Sequence, residues 1–162
     1  MGRPALLMLT REASPIVLRR YDLGMSITYR VDAPLDRNAI IDLYAAVQWS
    51  AYTDDPARLE AAITASLRVV TAWEGVRLVG LARVVGDGLT IVYLQDILVV
   101  PEHHRTGIGR ELFLRVFEPY DDVRQKVLLT DDGPGQITFY RAMGFTEVSD
   151  LTHPISVFTK FA

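Results

Sequence analysis

The chain has 162 residues, of which 49% are hydrophobic and 23% charged, enough for one globular domain with a sizeable core. A net charge of −3 argues against a broad basic face for nucleic acid, and the absence of cysteine removes disulfides, thiolate metal sites and a cysteine nucleophile. No apolar run is long enough to span a membrane. The short apolar patch at 5–9 is followed by Arg11 and Glu12 rather than a cleavage site, so a cytoplasmic protein is expected.

Residues 1–24, interrupted by Pro4 and Pro15, read as an N-terminal extension with room for a short strand at 16–18. The single domain is expected over 25–162. Met-Ser-Ile-Thr-Tyr-Arg-Val at 25–31 alternates as a first strand, ended by Pro34. Apolar residues at Ile40, Leu43, Tyr44 and Val47 have helical spacing, with Asp36 as the cap. A turn rich in aromatics and acids follows at 49–55, and Pro56 opens a second helix to about Ser66. Strands are expected at 68–73 and 76–85 around a Glu74-Gly75 turn, and at 90–100 after Gly86-Asp87-Gly88.

Pro101 stops that strand, a basic and glycine-rich turn occupies 103–109, and a helix runs to about Glu118. The run Lys-Val-Leu-Leu-Thr at 126–130 is continuously apolar, as expected of a strand covered on both faces. A turn at 131–135 leads into a helix at 136–143 that stops at Gly144. Two more strands are expected, at 145–148 and, after Pro154, at 156–161. The order β-α-α-β-β-β-α-β-α-β-β specifies a mixed sheet with an antiparallel centre and two late crossover helices, which is neither a doubly wound parallel sheet nor a sandwich.

A strand feeding a glycine turn that opens a helix makes an anion site. The first helical N–H groups lack internal partners, the dipole places positive charge there, and glycine permits close approach. Gly107 and Gly109 are not followed by the third glycine of a dinucleotide loop, and Gly109-Arg110-Glu111 lacks the Lys-Ser/Thr of a P-loop. The wider stretch Val99, Pro101, Glu102, His104, Gly107, Gly109 resembles the pyrophosphate motif of the GNAT superfamily of acyl-CoA N-acyltransferases. His104 stands where that family has glutamine or arginine. Phe-Tyr-Arg-Ala-Met-Gly-Phe at 139–145 resembles the family's helix motif, and the element order over 25–162 is similar to the family's.

The resemblance implies an α/β (α+β) fold: a mixed, mostly antiparallel sheet of six to seven strands, about four flanking helices and a splayed central strand pair. It implies an N-acetyltransferase that moves an acetyl group from acetyl-CoA to a primary amine of a small molecule by direct attack in a ternary complex, without a metal. Backbone groups of Arg105, Thr106, Gly107, Ile108, Gly109 and Arg110 would cradle the pyrophosphate, with His104 in the motif and charge from Arg105 and Arg110. Arg110 reads equally well as an exposed helix arginine. Backbone at Leu98, Val99 and Val100 would hold pantetheine and the acyl carbonyl, with Gln136 at the next helix start.

Tyr140 is implied as the general acid for the leaving thiolate, because a phenol donates a proton without carrying charge at neutral pH; on pattern alone it is a half-buried aromatic. Two readings of Asp96 stand: a base for the amine, or a structural carboxylate paired with an arginine such as Arg83. Trp49, Tyr52 and Asp54 sit where the family lines its acceptor pocket; Asp131 and Asp132 have two readings, as caps of the next helix or as charges that attract a cationic amine, which makes Asp131 a candidate acceptor-binding residue. His103, His104 and His153 lack metal-ligand spacing. The residues also admit two other functions: an acyl-CoA-binding sensor without catalysis, or acetylation of a protein N-terminus or lysine. The family's frequent dimers raise a homodimer as an expectation; no nucleic acid or membrane partner is expected.

Overall fold

The computed structural model describes residues 26–153 and 155–161. The expected strand at 16–18 and the boundary of the extension lie outside them. One sheet of five strands has the order β1-β2-β3-β4-β5: β1 (Ile27–Val31), β2 (Arg68–Glu74), β3 (Arg77–Gly86), β4 (Ile91–Val99) and β5 (Gln125–Leu128). The first four are antiparallel neighbours, and β5 joins β4 in parallel. Five helices flank the sheet: α1 (Arg37–Ala46), the short α2 (Ser50–Thr53), α3 (Pro56–Thr64), α4 (Ile108–Phe117) and α5 (Pro134–Ala142).

Strands β2 and β3 are buried along nearly their whole length, which explains their continuous apolar runs. Gly80 on β3 faces α4: a Cβ there would come within 2.9 Å of Leu112 Cδ1 and 3.4 Å of Ile108. Arg83, three residues on, points to the other face, where its Nη1 donates to the Ala62 carbonyl and the Ser66 hydroxyl after α3. Helices α1 and α3 therefore cover one face and α4 the other. Helix α4 buries Ile108, Leu112, Phe113, Val116 and Phe117, a stripe at helical spacing, while Glu111 and Arg115 pair on its outer side. Helix α1 starts where Asp36 accepts from the N–H groups of Asn38 and Ala39, and α3 where Asp55 accepts from Arg58 ahead of Pro56.

Three expectations are corrected. The sheet has five strands rather than six to seven: 145–147 is irregular, Val148–Asp150 is a 3-10 turn, and 155–161 carries no regular structure and is exposed throughout. Its alternation is that of a strand, but among the described residues it has no neighbour to pair with. The turn at 49–55 contains α2, so the helices number five rather than four. The cap of α5 is Gly133 with no side-chain bond, so neither Asp131 nor Asp132 caps it.

Candidate active site

The central device is a bulge. Arg83 pairs with Asp96 and Val84 with Leu94, which leaves Gln95 as an extra residue on β4. The parallel pairing of β4 with β5 ends at the same point, at Leu94 opposite Leu128. Beyond it the two strands separate, and residues 95–99 of β4 have a free flank toward β5. The family resemblance implied a splayed pair, and the end of this ladder is where such a pair would open. In an antiparallel ladder the N–H and C=O of alternate residues point to alternate sides. Val100 donates its N–H to the Val79 carbonyl at 2.9 Å, on the β3 side. Val99 and Ile97 are therefore the residues whose backbone faces the split. The expectations at Leu98 and Val100 are corrected accordingly: the backbone of both faces β3, and the Val100 N–H is taken.

The loop after β4 turns twice through left-handed backbone, at Arg105 (φ 61°) and at Gly107 (φ 94°). Gly107 is the helix cap, with open space where a Cβ would stand. Among the described residues, the N–H groups of Arg105 through Arg110 have no protein acceptor; the first bond of α4 runs from Glu111 to the Gly107 carbonyl. Six successive free amides at the start of a ten-residue helix form an anion-binding nest. Gly109 lies against Val99 and the Phe139 ring, at 3.9 and 4.0 Å from its would-be Cβ, so the nest adjoins both β4 and α5. His104 has a defined task. Its Nε2–H donates to the Val99 carbonyl at 2.8 Å and ties the loop to the end of β4. Thr106 holds the turn by donating its hydroxyl to the His103 carbonyl at 2.7 Å.

A groove of about 630 Å³ flanks the loop on its β1 side, lined by Tyr29, Glu74, His103 and Glu111 among others. Thr106, Gly107, Ile108 and Arg110 of the nest also line it, so the nest opens onto this groove; the Glu74 and Glu111 carboxylates repel phosphate on its far side, which leaves the nest and the β4–β5 split with the chemistry of an anionic ligand site.

Tyr140, on α5, is half-buried against Phe139 and Phe145. Burial pushes its phenol above the ordinary value, the Thr130 hydroxyl just beyond β5 pulls the other way, and Tyr93 of β4 adds a smaller upward push. Tyr140 thus stands beside the strand pair that splays. Gln136 at the start of α5 folds its side chain back over Gly133.

Asp96 is 2% exposed. Its Oδ2 accepts from the Arg83 guanidinium and, at 2.7 Å, from the Tyr44 hydroxyl of α1. Its Oδ1 is buried with no hydrogen-bond partner among the described residues. Of the two readings of Asp96, the structural ion pair is the one these contacts describe; a carboxylate enclosed this way offers no surface to an incoming amine. Burial, the Asp96 charge and the bond to Asp96 together push the Tyr44 phenol far above its usual range.

Trp49 and Tyr52 stack with centroids 5.7 Å apart, and Tyr44 packs against both. The bulge residue Gln95 donates to the Tyr52 hydroxyl at 3.4 Å, which links this aromatic group to the split. Asp131 is exposed, follows Thr130, and makes no hydrogen bond or ion pair among the described residues. Sequence reasoning missed Tyr44, Gln95, Tyr93 and Thr130. Two adjacent polar residues, Gln95-Asp96, in an otherwise apolar strand were the one available sign of the bulge.

No helix of the described residues is long and apolar enough to cross a membrane, and no His, Asp and Glu group among them could hold a metal. The acetyltransferase (GNAT) domain model matches residues 40–153. A GNAT-family acetyltransferase from Streptococcus pneumoniae is 33% identical, with 83% of this chain and all of that chain aligned at a TM-score of 0.70. The aminoglycoside N-acetyltransferase AAC(6')-Iy in complex with CoA has the same fold at 17% identity, covering 86% and 97% of the two chains with a TM-score of 0.63. The uncharacterized N-acetyltransferase ycf52-like of Prochlorococcus marinus is 33% identical over 95 residues, 55% of this chain and 52% of its own length. The chain spans about half the length of that curated relative, and 36% of a second one from Gibberella zeae.

Proposed function

From the premise that this chain belongs to the GNAT acetyltransferase family, we propose that it transfers the acetyl group of acetyl-CoA to the primary amine of a small molecule. The observation that carries this reading is the run of free amides at 105–110 lying directly against the unpaired flank of β4. The residues fit CoA. The nest suits a pyrophosphate, Arg105 and Arg110 add exposed positive charge, and Gly107 leaves the approach open.

When bound, CoA supplies the thioester whose acetyl group is transferred. The chain's own part then follows from its geometry. The Arg105–Arg110 amides hold the phosphates. The Ile97 backbone and the Val99 N–H, on the flank that β5 leaves free, orient the pantetheine arm as an added strand would lie, while the Val99 carbonyl is held by His104. A free N–H on that flank donates to the acyl oxygen as negative charge develops there. His104 keeps the end of β4 and the loop in fixed relation. Tyr140 donates its phenolic proton to the departing sulfur, and its raised pKa keeps that proton in place through neutral and mildly alkaline pH. The amine enters beside Trp49 and Tyr52, whose stacked rings suit an acceptor with an apolar body, and Asp131 adds an exposed negative charge for a cationic amine. Asp96 acts in this reading as a positioning residue: through Tyr44 it fixes the α1 wall of the aromatic group, and proton removal from the amine falls to water.

The test is acetyl-CoA turnover over a panel of amines, wild type against Tyr140→Phe. Loss of one phenolic acid predicts a fall in kcat of roughly 10²–10⁴-fold with KM for acetyl-CoA little changed. An unchanged kcat removes Tyr140 from the mechanism, and failure of CoA to bind removes the whole reading.

A further inference from the structure

His104 is held in a way that fixes where its ring can take up a proton. Its Nε2 lies 2.8 Å from the Val99 carbonyl oxygen. A carbonyl only accepts, so Nε2 carries the hydrogen. The neutral ring is therefore one tautomer, with Nδ1 bare. A second proton has one place to go, Nδ1, and arrives there without disturbing the bond to Val99. Nδ1 is bonded to the ring carbon that joins Cβ, so the new charge forms close to the backbone of His104 and to the Arg105 N–H, the first amide of the nest. The ring changes charge while the loop keeps its geometry.

The charges of the elements around this loop are mostly paired. Glu102 of the loop is bonded to Arg77 of β3 at 2.6 Å, and His103 lies 3.4 Å from Glu74 of β2. On α4, Glu111 pairs with Arg115 at 2.6 Å; on α5, Arg141 is held by Glu147 and Asp150. Arg105 and Arg110 have no carboxylate partner among the described residues, so both leave their charge to the nest. A charged His104 adds a third cation to these two, and it adds it at the loop position where the family resemblance has glutamine or arginine. Glutamine is neutral and arginine cationic at every ordinary pH, whereas imidazole changes charge between about pH 5 and pH 8.

We propose that His104 makes cofactor binding pH-dependent: its charged ring strengthens the hold of the nest on a pyrophosphate, and its neutral ring keeps the loop in place without that charge. This rests on the CoA reading of the nest. An anion beside an imidazole favours the charged form, and by linkage the charged form binds the anion more tightly. Affinity is therefore highest where the ring is charged and falls as pH rises through the imidazole range, with a proton taken up on binding inside that range.

The test is calorimetric titration of the full-length protein with dephospho-CoA, which keeps the pyrophosphate and lacks the 3′-phosphate, a group that itself titrates at about pH 6. The wild type should bind roughly three- to fivefold more tightly at about pH 6 than at about pH 8, the scale of one exposed ion pair. Heats in buffers of different ionisation enthalpy should show uptake of part of a proton between those limits. His104→Gln and His104→Arg can both still donate to the Val99 carbonyl, so both should bind without pH dependence, the first with the weaker constant and the second with the tighter one. His103→Gln should keep the wild-type dependence. A wild-type constant that does not move with pH, a dependence that survives in His104→Gln, or one that disappears in His103→Gln overturns the proposal and leaves the CoA reading standing. No binding at either pH overturns both.

Discussion

The half of the molecule built on β1 to β4 and the part that follows β5 treat similar residues in opposite ways. Arg83 and Arg141 each engage carboxylates. Arg83 is 4% exposed and pairs with Asp96 inside the core, where the Tyr44 hydroxyl, Ser66 and the Ala62 carbonyl share its network. Arg141 reaches Glu147 and Asp150, both at 2.8 Å, on the surface. No described residue beyond Val123 is buried, although that stretch holds Phe139, Tyr140, Phe145, Phe158 and Phe161. The first half is a finished core. The second is an assembly of half-covered parts around a split. The difference teaches where the chain closes its own core and where it leaves surface and backbone open for the proposed ligands.

The contrast can be broken most sharply at Arg83. Arg83→Met leaves the Asp96 carboxylate buried without its cation and should cost about 3–5 kcal/mol in urea unfolding. A loss below about 1 kcal/mol would mean that water reaches this pair. Next, Gly80→Ala pushes a methyl group against Leu112 and the Leu98 carbonyl and should cost about 1–3 kcal/mol in the same assay.

Tyr44→Phe leaves the Asp96 oxygen one donor short and should cost about 1–2 kcal/mol at neutral pH. This variant also sharpens a pH dependence. The Tyr44 phenol titrates higher in the folded chain than the 10.0 of an ordinary tyrosine. Above that pH the unfolded chain loses the proton and the folded chain keeps it, so the stabilisation is complete below pH 10 and declines as pH rises further. The slope contributed is at most about 1.4 kcal/mol per pH unit, and Tyr44→Phe should remove it from a stability–pH curve. The smallest effect belongs to the other region. Arg141→Ala breaks two exposed ion pairs and should cost under about 1 kcal/mol, shrinking further in high salt; a loss matching that of Arg83→Met would erase the distinction.

Much of this was open to sequence reasoning because it is local. The Asp36 cap, Pro56 at its helix start and the Gly144 stop each depend on residues within a few positions of one another. The loop at 103–109 and the 139–145 helix were legible for the same reason, as short motifs in a recognisable order. Tertiary structure decided what depends on pairing across the chain. It chose between the two roles of Asp96, because Tyr44 and Arg83 lie 52 and 13 positions away and only the folded sheet brings them to one carboxylate. It gave the bulge at Gln95 its consequence, the parting of β4 from β5. It also left 155–161 without a strand partner among the described residues: alternation makes a segment able to be a strand, and only an adjacent edge makes it one.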